Sequence, residues 1–264
     1  MKTPLTYYGG KQKLVTTILP VIPVHTLYNE PFAGGAAIFF AKPPSEVEVL
    51  NDANKELITF YKVVQNDFIN LEKEVRITLH SRTLHQDARV IVSYPHLFSD
   101  LKVAWAIYVL SSQSFASKLD GSWGYDKTRN TMSKKVANKR DAFTEEFAIR
   151  LQNVQLECAD AVYIIQSRDH AQAFHYCDPP YFNSDCGHYK GYTEQDMERL
   201  LQVLAVVKGK FLLSSYPSGL LARYVKKYGW HQKTITQLTS VATKRGAGVQ
   251  KEKTEVLTAN YPLG

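Results

Sequence analysis

The chain has 264 residues, 44% hydrophobic and 22% charged, which suits a packed core and excludes bulk disorder. That length fits one large domain or one domain carrying an insertion. Lys and Arg outnumber Asp and Glu by 32 to 25, a net charge of +7, and a pI near 9.1 points to a polyanionic partner, most simply nucleic acid, or to scattered solvated lysines.

In chain order, the start MKTPLTYYGGKQKL lacks the apolar stretch of a signal peptide. Residues 25–29 read as a short strand, PFAGG as a loop and AAIFFAK as a helix start. Val47 and Val49 alternate within VEVLND, a second strand ending at Asp52, and residues 53–71 read as helix. This β-α-β-α order predicts a parallel sheet. Residues 63–154 read as an inserted, mostly helical module, with LKVAWAIYVL followed by the aromatic and glycine-rich FASKLDGSWGYDKTRN. From Lys127 to Arg140 the module carries six basic residues and no acid. Its apolar-leaning run Val103 to Ser117 falls short of the roughly 18 residues of a membrane span, so no membrane association is expected.

The α/β pattern resumes near residue 155. FHYCD is a strand ending at Asp178, TEQDMERLLQVLAVVK an amphipathic helix with Thr193 as N-cap, and KFLLSSY the next strand. HQKTITQL and TEVLTANY are β-rich runs joined by the basic loop VATKRGAGVQKEK, and are expected to pair as a hairpin.

Three segments carry chemistry. In EPFAGGAAIFF a strand, a glycine turn and a helix start form a nucleotide-type site, where glycines allow close backbone approach and the helix start favours negative charge. Asp52 ends the next strand 18 residues after Gly34, the place where such folds put an acid for ribose hydroxyls. The run G-G-A-A is not the full dinucleotide fingerprint, and a tight turn with a surface aspartate is the plainer alternative. In CDPPYF, Asp178 sits at the carboxyl end of a strand, where open α/β sheets bind ligands. Pro179 and Pro180 fix φ and remove two donors, leaving a carboxylate, rigid carbonyls and the Tyr181 ring. That set suits the exocyclic amine of a flat base; a rigid turn capped by a buried tyrosine is the alternative. In YYGGKQKL, Lys11 offers a cation for a carboxylate or phosphate, unless the segment is simply a basic N-terminus.

The order YYGGK, EPFAGGAAIFF, LNDANKELITFY, CDPPYF and KEKTEVLTANY resembles the DNA adenine methylase family, the D12 class, with about 140 residues between the glycine and D-P-P-Y motifs. That is the α-type arrangement, with target recognition inserted in the middle. The resemblance implies a Rossmann-like sheet with a C-terminal β-hairpin in a catalytic domain of residues 1–62 and 155–264, and a target-recognition domain of residues 63–154. It implies S-adenosyl-L-methionine as cofactor, contacted by Tyr7, Lys11, Phe32, Gly34, Asp52 and Asp178. Asp178, Pro179, Pro180 and Tyr181 would form the pocket for a flipped adenine of double-stranded DNA. Gly187 and Gly191 in FNSDCGHYKGYT would give a lid over it.

Lys118, Tyr125, Lys127, Arg129, Lys134 and Lys135, with Lys139 and Arg140, are the candidate DNA contacts, the alternative being a solvated basic face. The insertion has WGYDKTRN where GATC-specific members carry an R-Y-N-like run, so GATC specificity does not follow. Cys158, Cys177 and Cys186 form no CxxC pair, which fits a reducing cytosol; the resemblance implies a cytoplasmic protein, bacterial or phage-encoded. None of them follows a proline, as the nucleophile of cytosine C5 methylation does. No metal or obligate protein partner is expected. The same chemistry on cytosine N4 or RNA adenine, and a silent DNA-binding module, stand as alternatives.

Overall fold

A computed structural model describes residues 1–182, 192–238 and 252–264. Their strands are β1 (Leu27–Glu30), β2 (Val47–Asn51), β3 (Gln155–Glu157), β4 (Ala173–Cys177), β5 (Lys210–Ser215), β6 (His231–Leu238) and β7 (Glu252–Ala259). The helices are α1 (Val15–Ile18), α2 (Ala37–Ala41), α3 (Lys55–Asn66), α4 (Phe68–Ile77), α5 (Arg82–Ser93), α6 (Asp100–Gln113), α7 (Thr131–Asp141), α8 (Glu146–Leu151), α9 (Ala161–Arg168), α10 (Glu194–Leu204) and α11 (Gly219–Tyr228). The chain divides into two compact units, residues 1–20 with 33–160, and residues 21–32 with 161–264.

In the first unit β2 pairs in parallel with β3, Val49 facing Gln155. The helices pack around α6, which is buried from Val103 to Gln113 and touches α3, α4, α5 and α7. Such burial on every side is why its sequence shows little amphipathic pattern. Asn54, Ser81 and Ser99 cap α3, α5 and α6 by accepting the backbone N–H groups of Leu57, Leu84 and Lys102. The single helix expected over 53–71 is instead two, because Asp67 leaves helical geometry at φ −143°. Its carboxylate accepts from the Asn70 side chain at 2.7 Å, the local bonding through which aspartate competes with a continuous helix. A buried ion cluster joins three elements: Glu48 of β2 accepts from Lys42, after α2, and from Arg150 of α8.

In the second unit the strand order is β1-β4-β5-β7-β6. β1, β4 and β5 are parallel; β7 and β6 are antiparallel to their neighbours and form the expected hairpin. The basic loop expected between them, and the expected lid with Gly187, Gly191 and Cys186, lie outside the described residues. β4 is buried at all five positions, as a parallel strand covered on both faces should be. α10 starts with a capping box between Thr193 and Asp196 and packs Met197, Leu200, Leu201 and Leu204 into the core with Phe211, Leu213 and Trp230. The mixed α/β class, the mainly parallel pairing and the C-terminal hairpin are as expected. Among the described residues no helix is long and apolar enough to cross a membrane.

Candidate active site

In the first unit the glycine turn follows directly from its sequence. Ala33 N–H donates to the Asn51 carbonyl, Gly34 takes φ +48°, and Ala36 takes φ 49° before α2 begins. The loop is fastened to the end of β2 by Asp52. One carboxylate oxygen accepts the Gly34 N–H at 2.8 Å and the other the Asn54 N–H at 2.9 Å. Tyr61 donates its hydroxyl to the Gly34 carbonyl at 2.7 Å. Burial pushes the Asp52 carboxyl above the ordinary aspartate range, while those two amides pull it back.

Tyr7 closes on the same turn. A Cβ at Gly34 would meet its ring at 3.2 Å, and one at Gly35 its Cβ at 3.0 Å. Burial first, then the Asp52 charge, pushes the Tyr7 hydroxyl up, opposed by a hydrogen bond to the Asn54 side chain. Gly9, at φ 75°, allows the tight turn in which Gly10 N–H donates to the Tyr7 carbonyl. Lys11 is buried, and its amine donates to the Gly9 carbonyl at 3.1 Å. The structure therefore gathers Tyr7, Gly34 and Asp52 around one turn. Gly34→Ala is expected to destabilise by about 1–2 kcal/mol, the cost of a side chain in left-handed backbone, and thermal unfolding checks it.

In the second unit Asp178 directly follows β4, as the sequence reading placed it. The Tyr181 hydroxyl donates to its Oδ1 at 3.3 Å, and also contacts Ser214 of β5 at 3.0 Å and Glu255 of β7 at 3.4 Å. Burial, then the charges of Asp178 and Glu255, push the Tyr181 hydroxyl well up. Burial, then Asp178 and Glu30, do the same to Tyr176 and Cys177. Tyr181 is buried, with its ring 4.4 Å from that of Tyr216. Phe32 belongs to this unit and meets Tyr192 edge-on at 6.3 Å. Glu30, Glu255 and Tyr216 were not singled out from the sequence. Tyr216 carried the one available signal, an aromatic just past the carboxyl end of a buried strand.

The candidate DNA contacts all lie in the first unit. Lys118 holds its amine 4.8 Å above the Tyr8 ring. Tyr125, half-exposed, stacks on Trp123, which stacks on His80, and the Arg82 guanidinium lies 4.6 Å over Trp123 and 5.5 Å over Tyr125. Lys127 and Arg129 precede α7, and Lys134 and Lys135 lie along it, all four exposed. Sequence reasoning missed Phe115, which is 69% exposed on a turn where Ala116 and Ser117 both hold φ near +55°.

The family model for D12 class N6 adenine-specific DNA methyltransferases matches residues 7–237. The chain belongs to that family. Among relatives, this D12 chain is 25% identical to the Type II methyltransferase M.FokI of Planomicrobium okeanokoites, over 99% of the chain and 43% of that protein. It is 25% identical to the Type II methyltransferase M1.LlaDCHI of Lactococcus lactis subsp. cremoris, over 96% and 93%. It is 27% identical to the DNA N-6-adenine-methyltransferase of Escherichia phage P1, over 74% and 27%. The D12 chain thus spans less than half the length of the first and third of these and nearly all of the second.

The D12 site residues fit the cofactor such a family implies. A carboxylate has about four acceptor sites; Asp52 uses two on backbone amides, which leaves capacity for ribose hydroxyls. In the second unit, the carboxylates of Glu30, Asp178 and Glu255 all act on the Tyr176 hydroxyl, a concentration of negative charge suited to a sulfonium or ammonium cation. Ser215 Oγ, at the end of β5, is buried with no hydrogen-bond partner among the described residues. Among those residues no cluster of metal-ligating side chains occurs.

Proposed function

We propose that the chain transfers a methyl group from S-adenosyl-L-methionine to N6 of an adenine flipped out of duplex DNA at one short sequence. The observation that carries this reading is the Asp178 carboxylate at the end of β4, with one oxygen fixed by the Tyr181 hydroxyl and carboxylates of Glu30 and Glu255 nearby. Tyr7 and Asp52 would hold the adenosine part of the cofactor, Asp52 through ribose hydroxyls, with Lys11, Phe32 and Gly34 completing the site. When bound, the cofactor supplies an electrophilic methyl group on sulfur.

The remaining chemistry belongs to the protein. The N6 lone pair of adenine is delocalised into the ring and is a poor nucleophile. Asp178 and the Pro179 carbonyl accept the two N–H hydrogens and favour a pyramidal nitrogen whose lone pair is free to attack in line. On methylation N6 would give up one proton, which Asp178 would accept. Pro180 and Tyr181 shape the pocket, and positioning supplies much of the rate. Extruding the base costs a few kcal/mol. Residues 63–154 act as the recognition module, in which Lys118, Tyr125, Lys127, Arg129, Lys134 and Lys135 neutralise phosphates and Phe115 offers an apolar wedge for the stack.

The test is modification-sensitive long-read sequencing of DNA from a methylation-free bacterial host expressing the chain, beside an Asp178→Ala control. N6-methyladenine at one short motif, absent from the control, is the expected result. Unmodified DNA from cells holding folded protein overturns the reading.

A further inference from the structure

Arg82 is the first residue of α5, a helix with no acid in its first turn. A cation at that end opposes the helix dipole and costs stability. The side chain is exposed, and it forms no hydrogen bond or ion pair among the described residues. What holds it is the aromatic pair beneath, Trp123 at 4.6 Å and Tyr125 at 5.5 Å. That platform is firmly built. The Trp123 indole N–H donates to the Gln113 side chain at 3.3 Å, its backbone bridges to Ser114, and His80 stacks on it at 4.6 Å. His80 donates to the Gly124 carbonyl at 2.8 Å, and its other ring nitrogen lies 3.0 Å from the Ser133 hydroxyl. Tyr125 extends the platform, 5.6 Å from Trp123 and 16° from parallel.

A guanidinium over a ring gives up its face and keeps five N–H donors in its own plane. Fixing that plane in advance spares entropy that a loose side chain loses on binding. The same exposed face of α5 carries Gln86 and Arg89, at i+4 and i+7, with Thr83 beside them. Arginine, glutamine and threonine are side chains that read base edges, and a helix fits the major groove. We propose that Arg82 reads a guanine of the recognition sequence, donating two hydrogen bonds to its O6 and N7 from the platform of Trp123 and Tyr125. This rests on the reading above that residues 63–154 face duplex DNA. The role differs from that of the α7 lysines, whose charge serves any phosphate and carries no sequence information. Glutamine in place of Arg82 would present one donor and one acceptor, the pattern that matches adenine.

The test lets the whole protein, saturated with S-adenosylhomocysteine, select from a library of randomised duplexes, and the bound DNA is sequenced. Wild type is expected to select one short motif that contains a guanine. Arg82→Ala should select the same motif with its preference at one guanine reduced about 5–150-fold, the worth of one good bidentate pair. The other positions should keep their preference. Arg82→Lys, which keeps the charge but not the fork, should relax the same position. Arg82→Gln should move it toward adenine. Replacing that guanine by 7-deazaguanine, which lacks the N7 acceptor, should weaken binding by wild type and leave binding by Arg82→Ala unchanged. Thermal unfolding checks that each variant is folded. If Arg82→Ala binds every duplex more weakly with its motif unchanged, Arg82 holds a phosphate and the proposal is overturned. A wild-type motif retained by Arg82→Lys, or a wild-type protein that selects no guanine, also overturns it. Methyl transfer is not read in this experiment, so failure of the proposed activity stays distinguishable.

Discussion

Asp178→Ala is expected to lower methyl transfer to duplex DNA by at least about 10²–10³-fold, or about 2.7–4 kcal/mol of barrier, the usual loss when one placed hydrogen-bonding group is removed from a water-excluded site. The loss should fall on kcat more than on KM, because the acceptor matters most as N6 becomes pyramidal. Asp178→Asn separates two roles. It keeps an oxygen for the Tyr181 hydroxyl, which now reaches Oδ1 at 3.3 Å, but removes the charge and the proton acceptor. Single-turnover transfer from labelled cofactor measures both variants, with thermal unfolding as the control for folding. Activity within tenfold of wild type in folded Asp178→Ala would remove Asp178 from the mechanism.

Glu48→Ala is expected to destabilise the protein by about 3–5 kcal/mol, because it leaves buried cations without their counter-charge. Lys42 and Arg150 are only 4% and 10% exposed, and Arg150 also lies 3.7 Å over the Phe39 ring. For a chain of this size the melting temperature should drop by on the order of 10 °C. Burial works against ionisation of Glu48, but hydrogen bonds from Arg150 and Lys42 outweigh it and hold the carboxyl below its ordinary 4.5. A depressed folded-state pKa gives stability that is present above the unfolded value and lost as pH falls through the folded one. The gap between wild type and variant should therefore be constant above about pH 4.5 and narrow in more acidic solution. Calorimetric unfolding across pH 3–7 checks both magnitude and direction.

What could be read from the chain followed from local rules. Thr193 before an amphipathic run marks a helix start because its hydroxyl satisfies an orphan N–H, and the capping box with Asp196 is there. The β-rich runs at 231–238 and 254–261 mark strands, and β6 and β7 do pair. Asp52 and Gly34 were paired by a known spacing, and a direct hydrogen bond joins them. What stayed hidden depends on distance along the chain or on local competition. Glu48 meets Arg150 across 102 residues, and nothing in either neighbourhood announces the other. Lys139 looks like any lysine of a basic helix until α6 covers it. The break at Asp67 was lost in an otherwise helical pattern, since only the side-chain bond to Asn70 shows why the helix stops. Ala116 and Ser117 hold backbone angles that their identities give no reason to expect.

The place of β7 sets a timetable for synthesis. It lies between β5 and β6, yet of the strands among the described residues it leaves the ribosome last. Tyr181 is anchored partly by Glu255, translated 74 residues later. At about 5–20 residues per second, the codon for that glutamate is reached about 4–15 s after the tyrosine's. Until then β5 has an open edge, and a nascent chain is exposed to mispairing there. A ribosome stalled before residue 252 should therefore carry a chain whose second unit lacks β7 and the Glu255 contact to Tyr181, and the fragment should be inactive and prone to aggregate.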